Sequence, residues 1–146
     1  MHLIGKTVLA ASIISASACH DVTGPPPLPA TYVLASINGR PLPTPFSPVP
    51  EAPVILNSTL FLDGTGNAVL TEWQQVMIAP GQVTYSTNYT YTIQDNTIEF
   101  HFQCPPDALA LCASPPVGTF LNSHLYLTFG TGDNKVIYDY RLGGEI

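Results

Sequence analysis

Charge is what this sequence has least of. Lys and Arg together number 4 and Asp and Glu 10, so 10% of the 146 residues are charged, against about 25% in ordinary soluble domains. One of the four cations, Lys6, lies in the first ten residues, which leaves Arg40, Lys135 and Arg141 for the rest of the chain. Three scattered cations cannot release counterions from a phosphate backbone, which excludes nucleic-acid binding. The same scarcity excludes electrostatic attraction to anionic lipid. Long apolar runs are also missing: the run from Thr7 to Ala18 is about 12 residues, where a membrane-spanning helix needs about 20. Few Lys and Glu leave little to coat the wet face of a helix. Polarity comes instead from Thr, Ser, Asn and Gln, which suit the two faces of a sheet. No Gly-rich phosphate loop is present, and nothing around Ser123 resembles a nucleophile elbow.

What the sequence does have begins at the N-terminus. A positive stretch, MHLIGK, precedes the apolar run, and small residues precede Cys19. That pattern predicts a secretory signal over residues 1–18. A Pro-rich stretch, His20 to Pro29, follows at once. It rules out continuation of a helix and predicts an extended tether over residues 19–30, rising about 3 Å per residue. The domain proper is expected over residues 31–146, long enough to bury a core without metals.

Three cysteines are an odd number. Cys104 and Cys112 can pair across Pro105 to Leu111, and in an oxidising compartment a disulfide is expected there, contributing roughly 2–3 kcal/mol by closing that loop. Cys19 is then left over. The junction Ala16-Ser17-Ala18-Cys19 resembles the lipobox of bacterial lipoproteins. The resemblance implies that Cys19 becomes the first mature residue and carries acyl chains. It therefore implies a membrane partner, reached through that lipid, and a place in a bacterial cell envelope. His20, which is not the Asp of inner-membrane retention, implies the outer membrane where there is one. The family favours Leu where Ala16 stands, and Ala-Ser-Ala also fits an ordinary cleavage after Ala18.

From Thr31 onward the apolar pattern has period two. Strands are expected at Thr31–Ile37, Val54–Leu62, Ala68–Ala79, Val83–Gln94, Thr97–Gln103, Thr119–Phe129 and Val136–Arg141. Asn38-Gly39, the segment Asp63 to Asn67, Pro80-Gly81, Asp95-Asn96 and Gly130 to Asn134 mark turns. The Pro-rich stretch Arg40 to Pro53 is expected to be loop, because proline cannot donate into a ladder. About seven sequential antiparallel strands predict an all-β fold. A small up-and-down barrel is preferred to a β-sandwich, since closure removes edges that this chain has little Lys to protect. The segment Tyr32 to Gly39 (Y-x-L-x-S-x-N-G), the D-G-T-G turn and the final Y-x-Y-R resemble small lipocalin-like domains of uncharacterised bacterial lipoproteins. That resemblance implies a barrel and no known activity.

Candidate chemistry is thin. Glu99, His101, Ser123 and His124 hold the types of a Ser–His–acid set, yet polar positions of an alternating strand are ordinarily its wet face. His101, Cys104, Cys112 and His124 are zinc-ligand types at a spacing that matches no familiar site. No catalytic residue, metal or cofactor is therefore expected. Aromatic residues carry more. Tyr85, Tyr89 and Tyr91 share one strand face, and Tyr138 and Tyr140 another. With Trp73 these are the candidate ligand-contact residues, although core packing and cross-strand pairing account for such rings equally well. The expected function is a non-catalytic, membrane-anchored binding module for a small apolar ligand or envelope component. The alternatives are a protein-interaction or inhibitory lipoprotein working through its loops and, behind it, an envelope hydrolase. Large side chains filling the barrel would argue against an enclosed ligand.

Overall fold

The computed structural model describes residues 24–76, 81–102 and 114–143. The strands are β1 (Ala30–Ile37), β2 (Arg40–Pro41), β3 (Thr44–Pro45), β4 (Val54–Leu62), β5 (Asn67–Gln75), β6 (Gln82–Gln94), β7 (Thr97–His101), β8 (Val117–Leu121), β9 (His124–Phe129) and β10 (Val136–Leu142). β4 to β10 pair in sequence, each antiparallel to the next. β1 pairs with β10 on one side and β4 on the other, which closes the barrel. The eight long strands form the wall, and β2 and β3 are two-residue additions to it. The preferred all-β barrel is therefore the fold, and the sandwich is not.

Period-two patterning makes the wall. Along β7 the residues Ile98 and Phe100 are buried while Glu99 and His101 are exposed. Along β4 and β5 the inward residues are Ser58, Leu60 and Leu62, then Ala68 and Leu70. Tyr32, Tyr138, Tyr140, Ile37, Ile55, Leu125 and Leu127 are fully buried. Each such side chain contributes about 1.5–3 kcal/mol relative to exposure. Bulges between Leu34 and Ser36 on β1 and between Ile55 and Asn57 on β4 bend those strands around the barrel.

Three expectations need correction. Thr119–Phe129 is not one strand but the β8–β9 hairpin, turned at Asn122 and Ser123, both of positive φ (51° and 65°). A two-residue hairpin turn needs that left-handed backbone, and the sequence there carries no glycine to signal it. Gly118, just before the expected start of that strand, lies inside β8. A Cβ there would come within 2.5 Å of Ile98 and 2.7 Å of Leu127, so only glycine lets these strands approach. The Pro-rich stretch is also not all loop: β2 pairs with β1 and β3 with β4. Its Phe46 packs edge-on against Tyr138 at 6.3 Å.

The two ends differ. The hairpin turns at Asp63–Asn67, Asp95–Asn96 and Asn122–Ser123 share one end, where Leu28 packs on the core and lies beside Gly64. The connections from β1 to β4, β5 to β6, β7 to β8 and β9 to β10 share the other. Cys19, the signal segment, Cys104 and Cys112 all lie outside the described residues, so the expected lipidation and disulfide are not placed.

Candidate functional site

Among the described residues Glu72 is the one acidic side chain that the period-two pattern aims into the barrel. It follows Ala68 and Leu70 at alternate positions of β5, opposite Ser58 on β4 and Tyr85 on β6. The Tyr138 hydroxyl donates to Glu72 Oε1 at 3.0 Å, and Gln74 Nε2 donates to Oε2 at 3.4 Å. Beside them the Ser58 and Tyr140 hydroxyls share a hydrogen bond of 2.7 Å in a fully buried setting. Burial raises the Glu72 carboxyl above its ordinary value, and the bonds from Tyr138 and Gln74 offset part of the rise. Burial raises the Tyr138, Tyr140 and Tyr89 hydroxyls as well, with the Glu72 charge adding to each. The shared cause is one low-dielectric pocket holding an acid among phenols.

Of the six aromatic contact candidates one bonds Glu72 directly and three more are placed around it. Tyr138 and Tyr140 bond to or beside it, Tyr85 stands opposite it across the ladder, and Tyr89 responds to its charge. Tyr91 does not join them: it is buried against Phe100, its hydroxyl without a partner among the described residues. Trp73, at the next position after Glu72, takes the opposite, outward face of β5. In the sequence Glu72 is one of several scattered carboxylates, and nothing local singles it out. Its signal was parity with Ala68 and Leu70, which is invisible until the inward face of β5 is fixed.

β6 is longer than its neighbours. Asn67 to Gln75 pair with Thr90 to Gln82, whereas β7 meets β6 only from Thr90 to Gln94. From Gln82 to Tyr89, therefore, β6 has one partner strand among the described residues. An open groove of about 630 Å³ lies along this flank, between Asn67–Val69, Ser86–Thr90 and Phe102. Tyr89 reaches it from the Glu72 cluster, with Phe102 at 5.8 Å and Phe100 at 5.5 Å, both edge-on. Among the described residues, no titratable side chain apart from the tyrosine phenol lines the groove. Its polar atoms come from Asn, Ser and Thr.

No family model, curated protein or solved structure matches this chain.

The remaining candidates are dispersed. Glu99 and His101 share the outer face of β7, with His101 Nε2 3.4 Å from the Thr92 hydroxyl. Ser123 and His124 stand at the opposite end of the barrel, where His124 Nδ1 bonds Asp139 Oδ1 at 2.6 Å and its ring stacks on Tyr126. The Ser–His–Glu set and the four zinc-ligand types are therefore not brought together through these histidines. Among the described residues no group of three or more His, Cys, Asp or Glu could hold a metal ion.

Proposed function

We propose that this chain is a lipid-anchored bacterial envelope protein whose barrel is a non-catalytic binding module, and that it takes an uncharged envelope component along the β6 flank. The observation that carries the reading is the groove itself. Its volume is within the range of ligand sites, and its lining joins two aromatic rings to Asn67, Ser86, Asn88 and Thr90. Rings offer flat apolar faces, and amides and hydroxyls orient a neutral polar ligand at no cost in charge burial. A neutral glycan chain has that chemistry. The lumen is a poorer candidate for an apolar ligand, because Tyr32, Tyr138 and Tyr140 occupy it without exposure. The scarcity of cations supports attachment through a lipid on Cys19 rather than through charge.

Two measurements test this. Mass spectrometry of the mature protein from membranes should find an acylated N-terminal Cys19; an unmodified N-terminus at Cys19 refutes the anchor. Amide shifts on titration with chitotetraose, a neutral oligosaccharide, should gather at Ser86–Thr90 and weaken in Asn88→Ala. Shifts confined to other strands, or produced equally by palmitate, would remove the groove as the site. A loop-borne protein contact is the second reading, favoured by Val49, 63% exposed on the Pro-rich segment that Phe46 pins to Tyr138.

A further inference from the structure

We infer that the end of the barrel from which the N-terminal tether departs is a membrane-seating surface, whose apolar collar rests in the interface of a phospholipid bilayer. The inference rests on the lipid anchor of the proposed function and adds the orientation that the anchor alone leaves free.

Five large apolar side chains at this end are exposed: Val33 39%, Phe61 41%, Val69 36%, Leu121 46% and Leu142 42%. Four of them lie on adjoining strands. Phe61 stands opposite Val69 on one side and Thr31 on the other, and Val33 stands two residues along from Thr31 on the same outer face, while Leu142, in register with buried Tyr32, sits at the rim beside them. Phe61 and Leu142, with Pro26, Pro27 and Pro29, border a shallow depression of about 450 Å³. Single exposed apolar residues need no explanation, but a contiguous group is the mark of a contact surface. The other end exposes Phe46, Val49, Tyr85 and Val117 as well, but sets them among Arg40, Glu51, Asp133 and Lys135 on its connections.

What covers the collar follows from where the chain leaves it. Gly24, the first described residue, lies at this same end beside His124 and Leu142. Cys19 is five residues earlier, and five residues span at most about 18 Å even fully extended. An acylated Cys19 sits at headgroup level, so the collar is held within that distance of the bilayer. Tethering makes its contact effectively intramolecular, so weak apolar contact suffices. Seating is apolar rather than electrostatic, because this end offers Arg141 but no basic cluster. Asp63 and Asp95, on two of its turns, resist deep entry and hold the seat at the interface. The far end then faces away from the membrane, while the groove on the β6 flank, which shares Val69 with the collar, opens beside the seated end.

The test uses the full chain purified from membranes and reconstituted in phosphatidylcholine vesicles with brominated acyl chains, which quench nearby tryptophan. Trp73 is the only tryptophan, four residues along β5 from Val69 and outside the collar. A Phe61→Trp/Trp73→Phe protein carries the reporter in the collar instead, and Leu121→Trp/Trp73→Phe carries it at the far side of the same end. Insertion of interfacial side chains by about 5–10 Å predicts at least about twofold quenching of both collar reporters and little change in Trp73. Adding anionic lipid or salt should alter neither. With Cys19 acylated by mass, collar reporters no more quenched than Trp73 would overturn the seating while leaving the anchor standing. Unquenched reporters with cross-linked dimers would overturn it in favour of a second copy. If Cys19 is unmodified the anchor falls, and the seating survives only if the collar reporters are still quenched on mixing with vesicles.

Discussion

Glu72 shows what one side chain does when parity points it inward. Its carboxyl is raised above the ordinary value of 4.5 by burial. An acid whose folded value is raised stabilises the fold fully below its unfolded value and loses that contribution as pH rises through the folded one. Glu72→Gln keeps an acceptor for Tyr138 and removes the charge. The variant should match the wild type in thermal midpoint near pH 3.5 and exceed it at pH 8; a difference constant with pH would contradict the assignment. Tyr138→Phe, by contrast, removes the donor to a half-buried carboxylate and should cost about 1–3 kcal/mol at neutral pH in urea unfolding. Ser58 and Tyr140 form a second pair. Ser58→Ala alone leaves a buried phenol unpaired and should cost about 1–3 kcal/mol, whereas Tyr140→Phe added to it should cost little more. A double-mutant cycle checks this, and simple additivity would count against it.

At the scale of elements, hairpins decide the topology and several of them turn through left-handed backbone. Asn38 and Gly39 both have positive φ, and Asn38 is fixed further by bonds to Ile137 through its backbone N–H and its Oδ1. The equivalent turn at Asn122-Ser123 puts a residue with a Cβ at φ 65°. Left-handed backbone costs such a residue roughly 1–2 kcal/mol. Ser123→Gly should therefore stabilise the domain by about 0.5–1 kcal/mol once the greater freedom of unfolded glycine is counted; a lower unfolding midpoint would refute the strain. Gly118→Ala should do the reverse, losing about 1–3 kcal/mol by overpacking Ile98 and Leu127. The strand boundaries on either side of Asp63–Asn67 were legible because aspartate, glycine and asparagine mark such a turn. In the structure Asp63 accepts from the backbone and side chains of Thr65 and Asn67, which holds its carboxyl well below the usual range. The β8–β9 turn was not legible, because Asn-Ser commits a chain to left-handed backbone only when two strands on either side demand it.

For the whole molecule, closure is the governing fact. β1 pairs with β10 and β4, residues more than twenty positions away along the chain, and this joins the first and last long strands so that only the β6 flank is left open among the described residues. Closure also brings Ser58, Glu72, Tyr138 and Tyr140 from three strands into one interior. Two carboxyls among the described residues, Glu72 and Asp63, give opposing acid responses. Glu72 stabilises at low pH, while Asp63, whose value is lowered, stabilises above its unfolded value and loses that support as pH falls through the folded one. Asp63→Asn should therefore narrow the loss of stability on acidification, and circular dichroism melts from pH 5 down to pH 2 read that directly. An unchanged acid limb would mean that the turn does not feel the charge.

The sequence by itself determined the class of fold, most strand positions and the turn between most neighbours. Alternation is a local property, carried by each strand regardless of its partners, and it survives without any knowledge of what pairs with what. It also set the terms of any membrane contact, since too few cations exist to make one by charge. Only the tertiary structure decided which face of each strand is dry, that the wall closes through β1, and that Tyr138 from the last strand reaches Glu72 from the fifth. It alone separated Trp73 from the tyrosines and His101 from His124. Those outcomes depend on register between distant strands, and a shift of one residue would turn every such side chain to the other face.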